Sequence, residues 1–218
     1  MGLLIQEITF QESSSYPAHV DELSVVETAY NIYNGKYNPG FFRYPAGHMN
    51  LLAVIFKICS LFSEKITIEN SYKISWWFSN IIMACIPVMV FIICCLMGTY
   101  ACALVGSCIT LLSQILIQYS QFAIVDVPLS FFSLLFYTIA VYWLIKSDIS
   151  LNKVIILSVL IGITISMKYT GAVLIIPLFF IIYKFIDSEP AFAGVKNFQL
   201  AFAGILGLGL FLISILSF

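Results

Sequence analysis

The chain has 218 residues, 61% of them hydrophobic and only 10% charged, with a mean hydropathy of +1.01 and a formal charge of −1. Soluble domains carry about 25% charged residues, so the composition describes an integral membrane protein. The absence of any Lys/Arg-rich run excludes nucleic acid as a partner. The apolar runs are long and continuous, unlike the alternating segments of about 10 residues that build a β-barrel, and this leaves an all-α fold, a polytopic transmembrane helical bundle.

In chain order, Met1–Phe10 carries Gln6 and Glu7 where a cleavable signal peptide would have an uninterrupted apolar core. Residues 1–73 read as an external loop with an acidic motif and two amphipathic interfacial helices. The first follows His19-Val20-Asp21-Glu22 and places Leu23, Val26, Ala29, Tyr30 and Tyr33 on one face. Asn34-Gly35 should end it, because both residues tolerate the left-handed cap conformation, and Asn38-Pro39-Gly40 should turn the chain. The second, Pro45 to Phe62, is interrupted by His48, Asn50 and Lys57 and is too short in its clean portions to span.

Residues 74–218 read as the transmembrane bundle, about five spans plus a truncated last one that begins near Phe198. A first span is expected from Ile74 to Met97, with Trp76 and Trp77 in an interfacial aromatic belt, and a second from Tyr100 to Gln118 after the tight turn at Gly98-Thr99. A third runs from Val127 to Ile145. Counting crossings then puts Asp126 on the same side as Asp21 and Glu22. The roughly 32 residues from Val154 to Phe185 are too many for one span at 1.5 Å per residue, and Lys168 lies in their middle, flanked by Gly162, Gly171 and Pro177. Two shorter helices meeting near Lys168 are therefore expected, with the break on the acidic side. The short loops holding Lys146, Lys153, Lys184 and Lys196 favour a cytoplasmic assignment over the long segment with Lys36, Arg43, Lys57, Lys65 and Lys73, which turns the acidic sites outward. Cys59, Cys85, Cys94, Cys95, Cys102 and Cys108 lack metal-ligand spacing and are expected to be small buried hydrophobes. The apolar run that Phe218 interrupts, and a start without a spanning segment, suggest part of a longer protein.

The candidate functional residues are the charged groups that a membrane tolerates least. Asp21 and Glu22 suit the first turn of a helix, where acids complement the dipole, and equally suit general-base work. Asp126 precedes Val127-Pro128 and can cap a helix whose first turn holds the proline. Lys168 within apolar sequence costs roughly 2.5–3.5 kcal/mol at mid-membrane, which calls for an anionic partner or for snorkelling. Arg43, between Phe42 and Tyr44, has a planar fork suited to phosphate. Tyr44 and His48 join Arg43 and Lys168 as the residues expected to hold an anionic ligand, His48 being, like His19, a weaker candidate because a lone histidine is more often a structural residue. A divalent metal, if used, would rest chiefly on the carboxylates of Asp21 and Asp126.

Four segments in order, His19-Val20-Asp21-Glu22, Gly35 to Pro45 with Asn-Pro and Arg-Tyr-Pro, Gln121 to Phe132 around Asp126, and Gly162 to Gly171 around Lys168, resemble the GT-C superfamily of membrane glycosyltransferases. The likeness is to the group containing protein O-mannosyltransferases and the lipid A aminoarabinose transferase. The resemblance implies transfer of a hexosyl or pentosyl group from a polyprenyl- or dolichyl-phosphate donor to a protein, lipid or glycan acceptor at the external face of the membrane. It implies Asp21 as general base, with Glu22 and Asp126 beside it in the catalytic acidic motifs and Arg43 and Lys168 neutralising the lipid phosphate. No cofactor is required beyond the lipid-linked donor and an optional divalent ion. The membrane would be a bacterial or archaeal plasma membrane, or the endoplasmic reticulum in a eukaryote. Two other classes use the same residues: a transporter or flippase holding an anionic lipid-linked intermediate at the broken helix, and a structural subunit in which the acids are caps and the cations snorkel. Paired internal repeats, common in transporters, are not visible. Convergence of Asp21, Asp126 and Lys168 on one pocket would favour the enzyme.

Overall fold

The computed structural model describes residues 19–36, 43–62, 65–147 and 149–188, all helical or connecting, with no strand among them. The Asn38-Pro39-Gly40 turn and the apolar segment from Phe198 lie outside the described residues.

Helix α1 (Val20–Tyr33) starts at an extended His19, whose Nδ1 accepts the Asp21 N–H, and ends at Asn34. Gly35 follows at φ +87°, a conformation open to glycine, and its N–H and that of Lys36 close the last turn on Ile32 and Asn31. The buried face of α1 is Glu22, Val25, Val26 and Ala29, while Leu23 is exposed. The expected stripe is thus rotated by about one residue, because Glu22 turns inward to hydrogen-bond donors on other elements. Helix α2 (Gly47–Cys59) packs on α1 through Met49, Leu52 and Phe56, and Tyr44 and Val125 join that core.

Helix α3 (Ile68–Met97) begins six residues before the expected Ile74, because Thr67 caps it by accepting the Asn70 N–H and Glu69 sits in its first turn. Ser71, Ser75 and Ser79, four residues apart, form a buried stripe of small side chains that lets neighbouring helices approach closely. Trp77 is half exposed, whereas Trp76 bonds into the protein. The expected second span is broken into α4 (Tyr100–Leu111) and α5 (Gln114–Ser120), bent by 54°, with Ser113 extended between them.

Helix α6 (Asp126–Ile145) packs on α3 and on α7 (Leu151–Met167). The predicted break falls at Lys168, whose backbone is extended, and a 3-10 helix (Tyr169–Leu174) leads into α8 (Ile175–Ser188). Phe136, Leu157, Ile161, Ile165, Leu178 and Ile182 form the core between α6, α7 and α8. Among the described residues, Ile68–Met97, Asp126–Ile145 and Tyr169–Ile186 can cross a membrane by length and composition, and the bent α4–α5 pair makes up to four. Helix α7, with 17 residues, is at the lower end of spanning length.

Two glycines hold the Lys168 turn in place. A Cβ on Gly171 would come within 2.8 Å of the Thr164 carbonyl, and one on Gly47 would collide with the Ser166 backbone. The first lets the chain fold back tightly on α7; the second seats the start of α2 directly on the end of α7. None of the six cysteines is buried, contrary to expectation: Cys102 and Cys108 are exposed on α4, and the other four are half-buried. Apolar environment on the outer face of a membrane helix comes from lipid, so apolar sequence does not imply burial within the protein.

Candidate active site

Asp21 lies in the first turn of α1 with its side chain turned toward the segment ahead of α2. Its Oδ1 accepts from Arg43 Nη1 at 2.9 Å and its Oδ2 from the Tyr44 hydroxyl at 3.0 Å. Burial raises the Tyr44 phenol above its ordinary value, and the bond to Asp21 and that carboxylate's charge add to the rise, so Tyr44 remains a donor.

Across the Tyr44 ring lies the second charged pair. Lys168 Nζ is 5.6 Å from the ring centroid and 2.7 Å from Asp126 Oδ1, while the Arg43 guanidinium carbon is 5.7 Å from the same centroid. Both cations are within the range of attraction to an aromatic ring. Asp126 is the first residue of α6, but Val125 occupies the cap position and no side chain caps the helix. The capping reading of Asp126 is therefore replaced by an ion pair. The side chains are open to water in part, Arg43 by 65%, Asp126 by 38%, Lys168 by 27% and Asp21 by 22%. Two carboxylates and two cations thus surround one aromatic ring at an accessible place, brought there by α1, the Arg-Tyr-Pro segment, α6 and the break after α7.

Glu22 and His48 lie elsewhere. Glu22 is completely buried; its Oε1 accepts from the Ala123 backbone N–H at 3.0 Å and from Trp76 Nε1, and its Oε2 has no partner. Burial raises its carboxyl above the usual range, opposed by the Ala123 and Trp76 bonds and the nearby His19. His48 is completely buried on α2, stacked on Phe78 at 6.4 Å and 26°. Neither ring nitrogen completes a hydrogen bond of good geometry, and burial, opposed by the nearby Ala123 backbone, pushes its pKa down to about 4. A neutral, enclosed ring is a packing element here and does not face the Arg43–Lys168 group. His19 caps α1, and its ring lies 5.6 Å from that of Phe122.

Among the described residues no three His, Cys, Asp or Glu side chains gather as a metal-binding group. Sequence reasoning missed Tyr44 as the bridge between the two charged pairs, and missed the Glu22 bonds to Trp76 and Ala123. The only local sign was the position of Tyr44 beside Arg43; Trp76 looks like any interfacial tryptophan, and Ala123 participates through its backbone.

Comparison with curated proteins and with solved structures finds no match. A family model does match, over residues 40–214, and it spans Tyr44, Asp126 and Lys168 with most of the helical bundle. The chain belongs to the dolichyl-phosphate-mannose-protein mannosyltransferase family.

Proposed function

We propose that this protein transfers a mannosyl residue from a dolichyl- or polyprenyl-phosphate donor to a protein hydroxyl at the external face of the membrane, with Asp21 as general base. The observation that carries the proposal is the Tyr44-centred group, in which Asp21 and the Lys168–Asp126 pair flank the same ring. In the reaction the acceptor oxygen attacks the anomeric carbon as the bond from that carbon to the phosphate oxygen breaks. Asp21 takes the acceptor proton, and the lipid phosphate leaves with the bonding electrons.

A positioned base contributes typically about 10²–10⁴-fold, and the glycosyl cation character of the transition state follows by analogy with glycosidases. Arg43 and Lys168 meet the charge that grows on the leaving phosphate, where fixed cations act most strongly. Asp126 aims the Lys168 ammonium, and Tyr44 orients Asp21. A phosphate departs without a strong general acid, so one base and two cations suffice. The short lysine-bearing loops support the external orientation, and the family supports a lipid-linked donor and a protein acceptor.

The test is Asp21→Asn in the full-length protein, assayed with labelled lipid-phosphate mannose. Transfer is expected to disappear while membrane insertion is unchanged; full activity in that variant would refute the assignment of the base.

A further inference from the structure

We infer that Glu22 is a positioning residue, whose buried carboxylate sets the spacing between Asp21 and Asp126 by tying the 121–125 connection and Trp76 to the start of α1. The inference rests on the proposed role of Asp21 as base. Successive helical residues point about 100° apart, so the adjacent acids serve different spaces. Asp21 faces Arg43 and Tyr44, while Glu22 faces the interior and bonds to neither of them nor to Lys168.

The bonds of Glu22 reach the second half of the site through the backbone. At the end of α5 the N–H groups of Gln121 and Phe122 are taken by carbonyls of their own helix, Gln118 and Tyr119. The next N–H, that of Ala123, is bound by Glu22. Ala123, Ile124 and Val125 are all buried, which removes water as a partner, and an unpaired buried N–H would cost about 1–3 kcal/mol. Three residues after Ala123 comes Asp126, the partner of Lys168. A single carboxylate oxygen therefore fixes the approach of α6 to α1, with Trp76 of α3 as its second anchor.

This role needs an acceptor atom and not a charge. The amide oxygen of glutamine can accept both N–H groups from the same place, whereas alanine removes the anchor. Steady-state transfer from labelled dolichyl-phosphate mannose by the full-length protein in lipid nanodiscs separates the cases. Glu22→Gln should keep kcat within about threefold of the parent, and Glu22→Ala should lower kcat by about 10²-fold, the scale of a misplaced reacting group, with a smaller change in KM for the donor. Trp76→Phe, which loses one anchor and keeps the ring, should fall between them.

A Glu22→Gln variant as inactive as Asp21→Asn would overturn the inference, because it would mean that the charge takes part in the chemistry. Unaltered kcat in Glu22→Ala would overturn it from the other side. Should the alanine variant fail to insert, the glutamine and phenylalanine variants still decide. Activity retained in Asp21→Asn would defeat the base assignment alone, leaving the glutamine–alanine contrast at position 22 to be read independently.

Discussion

Lys168→Met replaces an ammonium with an apolar side chain of similar length, and the structure gives different magnitudes for its effects on folding and on catalysis. The ion pair with Asp126 is short, 2.7 Å, but the two side chains are 27% and 38% exposed. Water can therefore solvate Asp126 when its partner is lost, and a pair of this exposure stabilises the fold by at most about 1 kcal/mol. The catalytic loss is larger, since removing one preorganised group that stabilises transition-state charge typically lowers kcat by about 10²–10³-fold, or 2.7–4 kcal/mol. Transfer should thus fall at least a hundredfold while the thermal midpoint moves little. The assay is transfer of labelled mannose in nanodiscs, paired with a thermal melt of the same preparation. Adding Asp126→Asn removes the stranded carboxylate and should recover the stability lost, but not the transfer. A rate close to that of the parent in Lys168→Met would refute a catalytic part for Lys168, and transfer restored in the double variant would show that Lys168 serves only to neutralise Asp126.

His48 gives a pH dependence with a definite sign. Its folded pKa of about 4 lies below the ordinary 6.5, so the unfolded chain takes up a proton in that interval and the folded chain does not. Stability should fall as pH drops through this window, by about 2 kcal/mol between pH 7 and pH 5, and His48→Leu should remove that part of the decline; equal acid slopes in the two proteins would contradict the enclosed ring. Gly47→Ala places a methyl group 2.7 Å from the Ser166 carbonyl carbon, a backbone atom with no rotamer to change. A loss of about 1–3 kcal/mol is expected from such overpacking, read as a lower thermal midpoint, and an unchanged midpoint would mean that α2 and α7 do not touch there.

The break at Lys168 was legible because two local facts agree: the apolar run is too long for one span, and a lysine flanked by glycines interrupts it. The end of α1 was legible in the same way from Asn34-Gly35. Properties of surfaces were less so. A soluble helix reveals its buried stripe by contrast with polar residues, whereas lipid and protein interior ask for the same side chains. For this reason Cys102 and Cys108 looked interior and are exposed. The inward turn of Glu22 was hidden for a different reason, since its partners are a backbone N–H and an indole far along the chain. Asp126 illustrates the limit of local rules: its sequence context fits a helix cap, and a lysine 42 positions later claims the side chain instead.

The Glu22–Ala123 bond joins residues separated by 101 positions, and this separation is also a delay during synthesis. At ribosomal speeds of about 5–20 residues per second, Ala123 is made roughly 5–20 s after Glu22. An ionised carboxylate is costly in hydrocarbon, so helix α1 is expected to stay in an aqueous setting while the following segments are threaded into the bilayer. The bond that ties the start of α1 to the approach of α6 is therefore a late event in biogenesis.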